Sequence, residues 1–158
     1  MAGYFDASLL LAACLDQIEH EEFIRIWDAE SIRVSSELVK AECIVSVRRA
    51  GAVRVQRKPE LDSESWAAQR LATSDAFLES LSCKSLDSAV TAIVRSEPRL
   101  ADCRTLDAVH MATALWFQPH LDEPLRICTL DKRLRALALG LGFSVLPERM
   151  PEEGKQRS

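Results

Sequence analysis

Four acidic residues of this 158-residue chain occupy positions where packing alone would not require all of them to be acidic. They are Asp6, Glu42, Asp107 and Asp131. Carboxylates that lie close together repel one another unless a cation neutralises them, and hard divalent cations such as Mg²⁺ and Mn²⁺ prefer oxygen ligands. If the four side chains converge, the sequence predicts a metal-dependent enzyme that acts on phosphate esters.

Each aspartate also has a simpler explanation when it is considered alone. Asp6 and Asp131 stand where an N-cap residue would begin a helix, and Asp107 stands where a first-turn carboxylate interacts favourably with the helix dipole. Glu42 is harder to explain, because its neighbours on a helical face are apolar and turn it toward the core or its rim. A carboxylate there needs a partner, which could be a basic residue such as Arg104 or a shared metal ion.

The elements that must position these residues are short apolar strands that alternate with longer helices. Strands are predicted at residues 3–5, 31–34, 81–86, 125–129 and 143–146. Helices are predicted at residues 7–15, 19–29, 37–50, 66–80, 88–94, 106–117 and 131–139, with Gly51 ending the third and a loop over 53–65. This alternation is typical of a parallel sheet with helices on both faces, whose functional site lies at the carboxyl ends of the strands.

Other polar side chains stand close to these carboxylates in the sequence. Ser8 and Thr129 are placed to hydrogen-bond the ligand oxygens and so to support a metal site from outside. His110 lies one helical turn after Asp107 and is, with Arg104, a candidate for contacting phosphate. A lone histidine on a helix more often has a structural role, so this functional interpretation of His110 is the weaker one.

Composition and charge narrow the class of protein. An apolar fraction of 47% and a charged fraction of 28% are ordinary for a soluble protein. The length predicts one domain, placed at residues 1–146, with a disordered tail at 147–158. Since no apolar run is long enough for a membrane span and the N-terminus lacks a basic leader, we predict a cytoplasmic protein without membrane association. The net charge of −4 argues against non-specific coating of nucleic acid, although a basic cluster at residues 48–58 could bind it locally.

Several other kinds of site are excluded by what the sequence lacks. The five cysteines are odd in number and dispersed, which fits neither a zinc motif nor a disulfide framework, so we expect free thiols. There is no glycine-rich phosphate loop and no nucleophile elbow. The acidic residues therefore remain the strongest functional signal in the chain.

Four segments of the chain resemble the motifs of the PIN-domain family. They are Tyr4–Ser8, Ser36–Glu42, Arg104–Ala114 and Cys128–Asp131, and the third is the most specific. The resemblance extends over nearly the whole chain, from residue 4 to residue 146. The order and spacing of the motifs resemble those of the small single-domain members, the VapC-type toxins of toxin–antitoxin pairs.

This resemblance implies a three-layer α/β/α sandwich with a five-stranded parallel sheet. It also implies an endoribonuclease, a hydrolase of phosphodiester bonds, that depends on Mg²⁺ or Mn²⁺, forms a homodimer and is inhibited by a cognate antitoxin protein. Asp6, Glu42, Asp107 and Asp131 would be its catalytic and metal-binding residues, with Asp6 and Asp107 holding the principal ion. The alternative is a PIN-like module that has the same fold and binds RNA or protein but catalyses no reaction. A complete acidic set argues against that alternative.

Overall fold

Five parallel strands and seven α-helices make up the computed structural model, which describes residues 1–15, 20–57 and 62–150. The strands are β1 (Ala2–Phe5), β2 (Ile32–Ser36), β3 (Ser82–Lys84), β4 (Leu125–Cys128) and β5 (Ser144–Leu146). The helices are α1 (Ala7–Cys14), α2 (His20–Ala29), α3 (Leu38–Arg57), α4 (Ser63–Leu78), α5 (Ser88–Ser96), α6 (Thr105–Phe117) and α7 (Lys132–Gly140). The predicted α/β fold with a five-stranded parallel sheet is confirmed.

The order of the strands places a reversal point beside β1. From β1 the chain moves outward through β2 and β3, and then crosses to β4 on the other side of β1, so that the order is β3-β2-β1-β4-β5. The backbone amide of Asp6 donates to the carbonyl of Cys128 at 3.0 Å, which continues the pairing of β1 and β4 beyond the strands. Ligands of doubly wound sheets bind at such a reversal point, outside the carboxyl ends of the strands.

Alternate strand residues point to opposite faces of the sheet, and helices cover each face. Tyr4, Val34 and Ile127 are in register and belong to a buried core with α5, α6 and α7. Phe5 and Cys128, one position further along their strands, belong to a second core with α1, α2, α3 and α4. The sheet is therefore the middle layer of a three-layer sandwich.

Aromatic packing fixes the end of β1 against the second core. Phe5 lies edge-on to Trp27 of α2 with ring centroids 4.7 Å apart, and Phe77 of α4 lies edge-on to both Trp27 and Phe23, at 5.1 and 4.9 Å. Edge-to-face pairs at these separations add to the stability that burial alone provides. Asp6, the next residue, therefore follows a strand end that is held rigidly in place.

The third helix is longer than the sequence predicts. Gly51 does not end α3, which continues six residues beyond it, and α4 begins inside the predicted loop at 53–65. A glycine costs a helix only about 1 kcal/mol relative to alanine, and Gly51 is buried in a helix that packs against α4. Asp62 caps α4 by accepting hydrogen bonds from two backbone amides, at 3.0 and 3.2 Å. Even α3, the longest described helix, is not apolar enough to span a membrane, and the other described helices are not either.

The remaining helices and strands lie where they were predicted, with small shifts at their ends. The predicted start of the second helix at residue 19, part of the predicted loop at 58–61 and tail residues 151–158 lie outside the described residues. Of the earlier tail residues, Pro147 and Glu148 have carbonyls that accept hydrogen bonds from the Arg135 guanidinium, at 2.6 and 2.7 Å.

None of the five cysteines, all of which lie within the described residues, forms a disulfide. Burial raises the pKa of Cys43 to about 12. This thiol therefore stays protonated at neutral pH and packs as a small apolar side chain. Cys43 directly follows Glu42 in the sequence.

The close approach of other side chains to Gly3 generates a prediction about stability. A Cβ atom at Gly3 would lie 2.8 Å from Cγ of Glu30 and 2.9 Å from Cε2 of Phe5, both in buried residues. Gly3→Ala should therefore lower the free energy of unfolding by about 1–3 kcal/mol, the usual cost of overpacking.

The matched control is Gly140→Ala, whose new Cβ meets nothing within 4 Å. It should be neutral or stabilising by up to about 1 kcal/mol. Urea denaturation measures both, and equal effects would contradict the prediction.

Candidate metal centre

Asp6 is the residue at which β1 ends and α1 begins. Its backbone is extended, and its Oδ2 accepts the backbone amide of Ser8 at 3.1 Å, so Asp6 is the N-cap of α1. The side chain is buried, and the same oxygen accepts the hydroxyls of Ser8 and of Thr129, the latter at 2.9 Å. These hydrogen bonds hold the carboxylate in one orientation at the carboxyl edge of the sheet.

The two hydroxyls also join the start of α1 to the loop that follows β4. Oγ of Ser8 accepts the amide of Leu130 at 2.9 Å, and Oγ1 of Thr129 accepts the amide of Asp131 at 3.0 Å. The hydroxyls themselves are 3.2 Å apart. Ser8 and Thr129 therefore support the Asp6 carboxylate, and they also connect the segments that follow β1 and β4 at the reversal point.

Asp131 is the N-cap of α7. Its Oδ1 accepts the amides of Arg133 and Leu134, at 2.7 and 3.2 Å. The capping role that the sequence allowed for Asp6 and Asp131 is therefore present in both residues. Capping does not remove a carboxylate from a metal site, because each aspartate has a second oxygen and keeps its negative charge.

Glu42 has a basic partner that the sequence did not predict. Its Oε2 lies 2.8 Å from Nε2 of His110, whereas the sequence suggested a basic residue such as Arg104 or a shared metal ion. His110 is buried on α6, and its Nδ1 lies 2.8 Å from the Tyr4 hydroxyl. Asp6, Glu42 and His110 each offer a ligand atom, and these three atoms lie within 4.8 Å of one another. This group is therefore suited to holding a cation.

Asp107 lies in the first turn of α6, one turn before His110. Burial raises the pKa of Asp107, and the negative charge of Asp131 raises it further. The positive charges of Arg133, Arg104 and His110 act in the opposite direction without cancelling the effect. Asp107 and Asp131 are therefore electrostatic neighbours, and neither belongs to the group of three ligand atoms described above.

The pKa values of the two buried rings also respond to this negative charge. Burial disfavours the imidazolium of His110, but the hydrogen bond to Glu42 and the charges of Asp6, Glu42 and Asp107 outweigh it and raise the pKa. Burial, followed by the charge of Asp6, holds the pKa of Tyr4 well above its ordinary value, so the phenol is neutral. The carboxylate oxygens of this site suit a hard divalent cation.

The two residues predicted as phosphate contacts have different environments. Arg104 is exposed at the start of α6, in reach of a ligand. His110 is 1% exposed and has both ring nitrogens engaged, so it does not face solvent where a phosphate would bind. Tyr4 was missed as part of the site because its contact with His110 joins residues 106 positions apart, and no local sequence pattern signals such a pair.

The family comparison covers the part of the chain that contains this site. A family model described as the PIN domain matches residues 3–140, a range that contains all four acidic residues. No curated protein matches the chain closely enough to count as a relative.

The raised pKa of Asp107 predicts a pH-dependent change in stability. When folding raises the pKa of an acid, its contribution to stability is present below the unfolded-state pKa and is lost as pH rises through the folded-state pKa. Asp107→Asn should therefore stabilise the cation-free protein at pH 7, by no more than about 1 kcal/mol for a partly exposed group. The gain should disappear below about pH 4. Urea denaturation in EDTA across this range measures it, with Asp28→Asn, an exposed position on α2, as the control. A gain independent of pH would contradict the prediction.

Proposed function

Because the chain belongs to the PIN-domain family, we propose that it is a metal-dependent endoribonuclease that hydrolyses RNA phosphodiesters. PIN domains are generally nucleases, and they usually use a divalent metal. The observation that carries the proposal is the convergence of Asp6, Glu42 and His110 at the carboxyl edge of the sheet, with ligand atoms within 4.8 Å of one another. Asp107 and Asp131 add two further negative charges at this edge.

The proposed ion is Mg²⁺, with Mn²⁺ as an alternative. Asp6 and Glu42, whose oxygens belong to the group of three ligand atoms, would hold it in place of the pair Asp6 and Asp107 expected from the sequence. Asp107 and Asp131 would complete the site directly or through water. When bound, the cation supplies a positive charge that polarises the phosphoryl oxygen and lowers the pKa of a coordinated water.

The residues of the chain position the reacting groups. The hydrogen bonds from Ser8 and Thr129 keep the Asp6 carboxylate from turning away when substrate enters. In the reaction, water adds to phosphorus in line with the 3′-oxygen, the bond from phosphorus to that oxygen breaks, and the products carry a 5′-phosphate and a 3′-hydroxyl. The exposed guanidinium groups of Arg104 and Arg133 lie close enough to Asp107 to oppose the rise in its pKa, and from there they would attract the RNA phosphates.

We further propose that this nuclease is the toxin of a type II toxin–antitoxin system, acting as a cytoplasmic homodimer. PIN nucleases act on RNA and often pair with antitoxins. Apolar side chains on the outer surface of α3 support a protein partner, because Ile44, Val45 and Val53 are 42%, 53% and 44% exposed. Arg48 and Arg49, from the basic cluster predicted at 48–58, are exposed on the same helix, and they favour a partner or substrate with negative charge.

Replacing Asp6 tests the proposed activity. Asp6→Asn keeps an oxygen that can cap α1 but removes a charge from the site, so the fold should survive. RNA cleavage should fall by more than about a hundredfold, since even residues that only support a metal ligand contribute 10- to 100-fold. The measurement is cleavage of a mixed RNA pool by the purified protein, with Mg²⁺ or Mn²⁺ and with EDTA.

The matched control for this experiment is Asp28→Asn, the same chemical change at an exposed position on α2, which should leave cleavage unchanged. Full activity of Asp6→Asn would remove Asp6 from the mechanism. No cleavage by the wild type under any condition, with the cation still bound, would favour a module that binds RNA or protein without turnover.

Arg104 offers a separate test of the substrate. Within the described residues, its guanidinium makes no hydrogen bond or ion pair, so it is available to a phosphate. Arg104→Ala should raise KM for RNA by about 10- to 150-fold, the loss of one charge-assisted hydrogen bond, with a smaller change in kcat. Arg95→Ala, at an exposed position on α5, is the control. If both variants have the same KM as the wild type, Arg104 does not contact the substrate.

A further inference from the structure

A chain of hydrogen bonds connects Glu42 to the core of the protein. Oε2 of Glu42 lies 2.8 Å from Nε2 of His110, and Nδ1 of His110 lies 2.8 Å from the Tyr4 hydroxyl. The backbone amide of Ser36 donates to the same hydroxyl at 3.2 Å. The chain therefore crosses four elements, from α3 through α6 and β1 to the end of β2.

The inner part of this chain is shielded from water, and the outer part is not. Tyr4 and His110 are 0% and 1% exposed, and their rings meet edge to face at 6.0 Å. The side chain of Glu42 is 23% exposed, so its carboxylate lies at the boundary between the core and the site. A glutamate has three rotatable side-chain bonds, and without a fixed partner at that boundary its carboxylate would sample several positions.

The hydrogen bonds determine which ring nitrogen of His110 donates to Glu42. The Glu42 carboxylate can only accept, so Nε2 must donate to it, and Nδ1 of the neutral imidazole then accepts the proton of the Tyr4 hydroxyl, whose oxygen accepts the Ser36 amide. The ring proton then resides on Nε2 and points at the Glu42 carboxylate. In the charged imidazolium, Nε2 also carries a proton and donates to the same oxygen. In both states, Nε2 is a hydrogen-bond donor to Glu42 and has no lone pair for a cation.

We propose that His110 is a positioning residue, held by Tyr4, that orients the Glu42 carboxylate toward Asp6 and is not itself a metal ligand. This inference rests on the proposed function, because the orientation of Glu42 matters only if a cation binds there. The preference of Mg²⁺ and Mn²⁺ for oxygen ligands supports the assignment. Tyr4 already occupies Nδ1, so a cation could reach His110 only by displacing Glu42 from Nε2.

A double-mutant cycle on Mn²⁺ binding tests this role without depending on catalysis. Mn²⁺ affinity is measured by electron paramagnetic resonance for the wild type, His110→Ala, Glu42→Ala and the double variant. His110→Ala alone should weaken binding by about 10- to 100-fold, the range for residues that support a ligand. In the Glu42→Ala background, which has no side-chain oxygen to orient, the same change should have little further effect, because His110 acts only through Glu42.

Two further variants keep the test independent of folding defects. Tyr4→Phe removes only the hydroxyl and should weaken Mn²⁺ binding less than His110→Ala does. His110→Gln, whose amide can donate to Glu42, should recover part of the affinity. Thermal unfolding in EDTA checks that each variant is folded before its affinity is compared.

The outcomes separate this inference from the proposed function. An equal loss of affinity in both backgrounds would make His110 a direct ligand and overturn the inference, and so would an unchanged affinity in His110→Ala. Strong coupling of His110 to Glu42 in a protein that binds Mn²⁺ but cleaves no RNA would support the positioning role and overturn the nuclease. A wild type that binds no Mn²⁺ would overturn both.

Discussion

Repulsion between carboxylates held at one edge of the sheet is the constraint on which the rest of this site depends. Asp107 shows the effect directly, because burial and the charge of Asp131 together raise its pKa despite two nearby arginines. The protein balances part of this charge with groups that also build the fold. Hydroxyls from the first turn of α1 and from the loop after β4 bond Asp6, backbone amides bond Asp131, and a buried imidazole bonds Glu42. The charge that remains unbalanced would favour a cation at this edge.

The parallel sheet makes this arrangement achievable with residues that are far apart in the chain. β1 and β4 are neighbours although more than a hundred residues separate them, and their carboxyl ends flank the point where the strand order reverses. Asp6 and Asp131 follow these two strands, while Glu42 and Asp107 come from helices that begin at the same edge. Packing on both faces makes the strands rigid, so the carboxylates cannot relax their repulsion by moving apart.

Much of this arrangement was predictable from the sequence, and the exceptions have a common physical cause. Strand and helix positions follow from local periodicity, and the aspartates that cap helices follow from local capping preference. The extension of α3 through Gly51 was not predictable, because packing against α4 outweighs the weak preference of one residue. The contacts of His110 with Tyr4 and Glu42 span 106 and 68 positions, and only the folded chain brings them together.

Stability and cation binding are linked in such a site. Anything that binds the folded state alone stabilises it, and here the cation would also remove the repulsion that folding imposes. The same residues serve both purposes: Asp6 caps α1 and joins the loops after β1 and β4, while His110 lies in the core and bonds Glu42. A lost activity therefore identifies a functional residue only when the variant is shown to be folded without the cation. Tyr4→Phe best separates the effect on cation binding from the effect on stability. Among the described residues, the Tyr4 hydroxyl reaches the site through His110, while the ring stays in the core.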